Sequence, residues 1–469
     1  MEREKLIEYF DKNADTRRQW KRKNWYYHRT LERLIQFLIP AGQQVLEIGA
    51  GTGELLAAAK PKDGTGIDIS SRMIEHAREA YPHYTWQVDD IEHLKLDKVY
   101  DYVVLSDVLG YVGDVELSFS NLQKISHHRT KVVITSYNYL WEPLFRFAEL
   151  LHLKERQPLQ NWLAPKDIEN FLYLAGFEVI KRGNKMIFPR YIPLVSSIIN
   201  LFLANLPLVN KLGIIHYVVA RRIPREEAEY SVSVVIPCRN EEGNIENAVR
   251  RMPFFGSSVE IIFSYDRGST DNTRLELQRV AKAYEHKRDV QWFDGGYNCK
   301  WDTVRVGFEH ATGDILMILD GDLTVVPEDL PKFYRAIASG KGEFINGSRL
   351  VYQLEAQSMR MFNIVGNKFF SVMFTWLLGQ RIKDTLCGTK VLFKKDYKVL
   401  DENRKYFGEF DQYGDFDLLF GASKLNLKIV EVPVRYGART YGSSNMRRWK
   451  HGILFLRMTL FAMRKIKFI

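Results

Sequence analysis

Cysteine is scarce: the 469 residues hold three, Cys238, Cys299 and Cys387. They are too few for a disulfide framework and too far apart to enclose a zinc ion, which fits a reducing compartment. An apolar leader is missing too, because Met1 to Phe10 is charged, so no secretory signal is expected. Periodic or low-complexity Gly and Pro are absent, which excludes collagen-like architecture. Hydrophobic residues make up 46% of the chain and charged ones 26%, which excludes wholesale disorder. Long hydrophobic runs are few. Tyr191 to Asn210 is uncharged, but Pro193, Asn200, Asn205 and Pro207 interrupt it, and a spanning helix of about 20 residues has to be more apolar. A buried or surface-seated helical hairpin is expected there.

Acidic residues stop at Glu431, while nine lysines and arginines follow, nearly the whole net charge of +10. The body is therefore close to neutral and the basic feature is a tail. A nucleic-acid binder would spread such charge over a domain face, so no nucleic-acid partner is expected. From Arg447 the bases recur at 450, 457, 464 and 467, on one drifting helical stripe. Opposite lie Ile453, Leu454, Leu456, Leu460, Phe461 and Met463. Such a helix suits an anionic membrane surface, the alternative being a helix packed on its own domain. The expected setting is the cytoplasm, with the tail at the inner membrane face.

At roughly 150 residues per domain the length suggests two or three domains. Strand–helix alternation starts twice, at Gln44-Val45-Leu46-Glu47-Ile48 and at Val232-Ser233-Val234-Val235-Ile236. Between the two passes lies a charged, Pro-containing stretch, Arg221 to Glu229, that reads as a linker. Domains over 1–222 and 230–469 are predicted, each with a parallel sheet and crossover helices.

In the first half, Gly49, Gly51 and Gly53 follow a strand and precede a helix from Glu54 to Lys60. Glycines there let a ligand approach the backbone closely. The next strand ends in Asp68, an acid placed to accept hydrogen bonds from both hydroxyls of a ribose, and a third ends in Asp89-Asp90-Ile91. The spacing G-x-G-x-G behind Glu47, with Asp68 and Asp90 in register, resembles a class I S-adenosylmethionine-dependent methyltransferase over about residues 40 to 180. That resemblance implies a Rossmann-like fold, with Glu47 and the glycines under the methionine end of the cofactor. It implies that Asp68 holds the ribose and that Asp90 and Ile91 border the adenine. Methyl transfer needs alignment and desolvation more than acid or base. Tyr137 to Trp141 is a candidate lining for the acceptor pocket.

In the second half, Pro237, Asn240 and Glu241 follow a strand, Asp266 ends another, and Gly313 to Asp322 is a buried strand that delivers Asp320 and Asp322 at its tip. A D-x-D pair so placed can bind Mg²⁺ or Mn²⁺, with substrate phosphate oxygens completing the coordination. Lys300 and Arg305 are candidates to add charge against a diphosphate. This order resembles a family 2 glycosyltransferase of the GT-A fold, from about Ser231 to Val434, with Arg267 where a second acid is usual. The resemblance assigns Glu241 and Asp266 to the nucleoside, and Asp320 and Asp322 to metal and diphosphate.

Tyr413 to Leu419 is similar to the family's E-D-x-D-L segment, with Gly414 in place of Glu. It makes Asp415 the candidate general base and Asp417 the fallback. Asp384 to Lys390 and Arg439 to Asn445 resemble segments of the polyprenyl-phosphate sugar transferases. They imply that Arg439 and Ser444 meet phosphate of donor or lipid. The expectation is a bifunctional enzyme: methyl transfer from S-adenosylmethionine, and metal-dependent inverting transfer from a nucleotide sugar to a glycan or polyprenyl-phosphate acceptor. The alternative is a polyprenyl-phosphate sugar synthase whose first domain only binds S-adenosylmethionine, as a regulatory or scaffolding module.

Overall fold

The computed structural model describes residues 3–155, 157–158, 160–206, 208–224, 228–296, 299–349, 361–406, 411, 413–434, 437, 439, 441 and 448–468. Two compact units divide the chain: Met1–Ile223 with Lys467–Ile469, and Pro224–Ile466.

Unit 1 is built on strands β1 (Gln44–Ile48), β2 (Asp63–Asp68), β3 (Thr85–Val88), β4 (Tyr100–Ser106), β5 (Ser126–Tyr137), β6 (Phe177–Lys185) and β7 (Ile215–Arg222). They stand in the order β3-β2-β1-β4-β5-β7-β6. The sheet is mixed. β1 to β5 pair in parallel, but β7 runs antiparallel to both β5 and β6. Val103, Leu105, Val132 and Ile134, on the central strands β4 and β5, are fully buried or nearly so and pack with Ile168 and Phe177 in the core. The chain leaves β1 toward β3 and then jumps back to β4, so the strand order reverses between β1 and β4. A crevice opens at the carboxyl ends of strands at such a switch.

Unit 2 repeats the plan. It holds β8 (Ser231–Cys238), β9 (Ser258–Tyr265), β10 (Asp289–Asp294), β11 (Ile315–Ile318), β12 (Phe344–Ser348), β13 (Lys390–Phe393) and β14 (Ile429–Pro433). Their order is β10-β9-β8-β11-β13-β12-β14. Its switch lies between β8 and β11, and β13 is inserted antiparallel to β11 and β12. The expectation of purely parallel sheets is therefore corrected in both units.

Two further expectations change. Residues 195–205 and 209–212 form short helical turns, Val195–Ser197, Ile198–Phe202, Leu203–Asn205 and Val209–Leu212, rather than a hairpin of two helices. The tail is a helix, Arg448–Ile466, whose buried face is Phe455, Met458, Thr459, Ala462 and Ile466. Ile453, Leu456 and Leu460, assigned to the apolar face, are exposed together with Arg457 and Arg464. Phe455 packs on Phe370, Phe416 and Tyr413, so this helix is part of its own domain.

Two candidate active sites at the strand switches

In unit 1 the turn after β1 is left-handed at Gly49, Gly51 and Gly53. A Cβ on Gly49 would lie 2.3 Å from Val108 Cγ2, beyond the end of β4, so a side chain there would close the crevice. Asp68, at the end of β2, accepts from the Gly51 N–H at 2.8 Å and from the Ser70 N–H at 2.9 Å. Burial raises its carboxyl above the ordinary value. Gly49, Gly51, Asp68, Asp90, Ile91 and Asp107 line one cavity of about 380 Å³. Glu47 lies beneath the turn, 2% exposed, its Oε2 accepting from the Leu56 N–H at 2.9 Å. Burial pushes it up to about 8. Asp90 caps the turn that starts at Ile91, accepting from the Glu92 N–H at 3.1 Å. Asp90, Glu92 and His93 alone among the described residues group three ligand atoms suited to a cation, but Arg3 is already ion-paired to Asp90.

In unit 2, the Leu319 N–H donates to the Val235 carbonyl at 3.0 Å and extends the β8–β11 pairing to the D-x-D turn. Asp320 is ion-paired to Lys300. Burial alone would raise its carboxyl, but the cations of Lys300, Arg349 and Lys390 hold it below the usual range. Asp322 Oδ1 accepts from Thr324 N–H and O–H at 3.1 and 2.8 Å, and its Oδ2 meets Arg439 Nη2 at 2.7 Å. Glu241 is pushed up to about 7 by burial and by the negative charges of Asp322 and Asp320. Asp266 joins the rim through its N–H, which donates to the Cys238 carbonyl at 2.9 Å, and its carboxylate faces Arg239 at 3.7 Å. Asn240, at φ +56°, accepts from the Thr270 N–H at 2.7 Å and ties the loops after β8 and β9 together.

Comparison with known proteins accords with this geometry. Residues 20–182 match the family described as "Methyltransferase domain", and residues 233–401 match "Glycosyl transferase family 2". The chain is a methyltransferase domain followed by a family 2 glycosyl transferase domain. The 235L protein of Invertebrate iridescent virus 6 is 31% identical over 24% of this chain and 44% of its own. The dolichol-phosphate mannosyltransferase of Pyrococcus furiosus is 29% identical over 46% of this chain and 59% of its own. The chain thus spans about half the length of these two relatives. The UDP-N-acetylglucosamine–dolichyl-phosphate N-acetylglucosaminyltransferase of Methanococcus voltae is 25% identical over 51% of this chain and 99% of its own. A solved S-adenosylmethionine-dependent methyltransferase of Thermotoga maritima is 15% identical with a TM-score of 0.38, covering 46% of this chain and 99% of that one.

Around the glycosyl transferase site the remaining expected residues divide. Asp415 starts the helix Asp415–Lys424 and is bound to Lys390 at 3.0 Å, and Lys300 feels its charge along with those of Asp320 and Asp322. Asp417, two residues on, is pushed up to about 8 by burial and by Asp411, with Arg404 at 3.7 Å. Pro237 lies in β8 one residue before the strand ends. Arg305 is not brought to the acids; its guanidinium faces Asp401 at 3.3 Å. Ser444 lies outside the described residues.

Several contributors escaped the sequence reading. Arg349 grips Asp384 with two side-chain N–H groups at 2.7 and 2.9 Å, fixing the segment that carries Gly388. Asp411 caps the Asp415 helix, its Oδ2 accepting from the Phe416 and Asp417 N–H groups at 2.9 and 3.0 Å. In the methyltransferase domain Asp107, at φ +56°, accepts from the Tyr27 hydroxyl at 2.9 Å, while its buried Oδ1 has no hydrogen-bond partner. Its position at the end of β4 was the available signal.

Proposed function

We infer that the glycosyl transferase domain moves a sugar from a nucleotide donor to a polyprenyl phosphate, and that the methyltransferase domain transfers a methyl group from S-adenosylmethionine. The observation that carries the first part is the D-x-D turn, where Asp320 is ion-paired to Lys300 and Asp322 to Arg439, and where burial and both acids raise the Glu241 carboxyl. Asp320 and Asp322 offer hard oxygen donors of the kind that Mg²⁺ and Mn²⁺ take, with phosphate oxygens of the donor left to complete the coordination. Burial first, and then the charges of Asp322 and Asp320, raises the Glu241 carboxyl, and a divalent cation on the two aspartates would offset that charge. Such a cation would neutralise the diphosphate as it leaves.

Lys300 and Arg439, seated on the two carboxylates, place positive charge beside the same leaving group. Asp266 and Glu241 would border the nucleoside. The acceptor phosphate supplies its own nucleophilic oxygen for attack opposite the leaving group, so no base is required. The Lys390–Asp415 ion pair then serves to shape the acceptor side. The names of the Pyrococcus and Methanococcus relatives support this acceptor class. The exposed Ile453, Leu456, Leu460, Arg457 and Arg464 of the tail helix suit contact with the membrane that holds it.

In the methyltransferase domain, Asp68 would accept from the ribose hydroxyls and Glu47 and the glycine turn would lie under the methionine end. Asp90 and Ile91 would border the adenine. The free Oδ1 of Asp107 is placed to accept a hydrogen bond from an acceptor hydroxyl or amine. The deciding experiment incubates the chain with labelled nucleotide sugars, Mn²⁺ and a polyprenyl phosphate. Label in the organic phase, lost in Asp320→Asn, is expected; label that never leaves the aqueous phase overturns the acceptor assignment. For the other half, calorimetry should detect S-adenosylhomocysteine binding that Asp68→Ala abolishes.

A further inference from the structure

The methyltransferase unit carries an apolar surface that methyl transfer itself does not use. Leu144, Phe147 and Leu151 along the helix Glu142–Leu150 and its C-terminus are exposed, as are Leu194, Phe202 and Leu208 on the helical turns between β6 and β7. Leu194 and Leu208 are each 78% exposed, and it is their grouping with other apolar side chains that marks an interaction surface. The two stretches are fastened together. Trp141 Nε1 donates to the Leu212 carbonyl at 2.7 Å, and Asn138 Nδ2 donates to the Lys211 and Gly213 carbonyls at 2.9 Å. Both border a chamber of about 410 Å³, with Leu144, Phe147 and Leu151 from one and Ile187, Phe188 and Pro189 from the other. Arg17, His28 and Tyr137 line this chamber and the cofactor cavity alike, so the two adjoin across these side chains.

Charge on this face has one sign. No Asp or Glu occurs from residue 179 to 225, while Arg190 and Lys211 are exposed beside the apolar turns. The neighbouring acids Glu142 and Glu149 are already paired, with Arg146 and Lys154. Apolar side chains among unopposed cations match an anionic lipid surface. They match a second copy of the chain poorly, because a two-fold contact would bring the cations together. Among the described residues no helix is long and apolar enough to cross a membrane, so the contact is with the surface.

We propose that this face docks on an anionic bilayer and that the methyl acceptor is an amphiphile drawn from the bilayer through the aromatic chamber. The docking stands by itself; the acceptor class rests on the methyl-transfer reading.

The test uses the full chain with phosphatidylcholine vesicles, with and without phosphatidylglycerol. Hydrogen exchange should slow on anionic vesicles at residues 139–153 and 187–212. The triple substitution Leu194→Asp, Phe202→Asp, Leu208→Asp should weaken vesicle binding by about tenfold or more while leaving S-adenosylhomocysteine binding intact. Arg190→Glu with Lys211→Glu should remove the preference for anionic vesicles, which keeps the test decisive if the triple variant does not fold. Protection confined to Arg448–Ile466, unchanged binding by both variants, or protection of the same segments by protein concentration without lipid overturns the docking. For the acceptor, methyl label from labelled S-adenosylmethionine should enter an organic extract of membranes. Label only in water-soluble products overturns the amphiphile, whereas no label anywhere fails the methyl-transfer reading and leaves the docking to the vesicle data.

Discussion

Gly388 has no room for a side chain: a Cβ there would lie 2.1 Å from Asp320 Oδ2. Rigid backbone on one side and a carboxylate engaged by Lys300 on the other leave Asp320 to move. Gly388→Ala should therefore lower sugar transfer by roughly 100-fold, the scale of a displacement of about 1 Å at a reacting centre, and leave methyl transfer unchanged in the same preparation. Glu47 carries a prediction of another kind. It is pushed from an ordinary 4.5 up to about 8 by burial. Between those two values the folded chain keeps a proton that the unfolded chain has released. Stability therefore falls as pH rises through the window, by at most about 1.4 kcal/mol per pH unit, and levels off above it. Calorimetry of Glu47→Gln across the same range should show a flatter decline than the parent chain, and identical slopes would exclude Glu47 as the cause.

At the scale of elements, the helix Asp415–Lys424 shows how local rules place a site. Gly414 adopts φ +80° at its start, and a Cβ there would lie 2.2 Å from the Trp301 ring. The indole explains why glycine stands where the related segment has Glu. Asp411 then caps the helix. Asp411→Ala should lower the midpoint of the glycosyl transferase domain by several degrees, since a lost cap costs about 1–2 kcal/mol and each kcal/mol is worth about 2–4 °C at this size. Asp411→Asn, which still accepts, should lose less. The capping role was open to a reader who looked for an acid just ahead of a helix start, but the motif drew attention to 414–417.

Arg305 failed for a geometric reason. Five residues beyond Lys300 on one helix is about 140° around the axis, so the two side chains cannot face one site, and Arg305 meets Asp401 instead. Strands whose role is set by their own residues were legible, such as β1 and the apolar run that ends in Asp320. The directions of β7 and β13 were not, because antiparallel insertion depends on partners far along the chain. In the tail, apolar residues on nearly every side hid the i, i+3, i+4, i+7 set that is buried.

The same device serves both halves of the molecule: a reversal of strand order, with a tight backbone turn on one side and an acid at the tip on the other. Each unit has a core cluster of its own, so each should melt as a cooperative body and answer only to its own ligand. A ligand that binds one native unit at 100 times its dissociation constant raises that unit's stability by about 2.7 kcal/mol and leaves the other untouched. Scanning calorimetry should show two transitions. S-adenosylhomocysteine should raise one, and UDP or GDP with Mn²⁺ the other. Asp68→Ala should cancel the first shift only and Asp320→Asn the second only. A single transition moved by both ligands would mean that the units unfold together, and that occupancy of one site is felt as stability at the other.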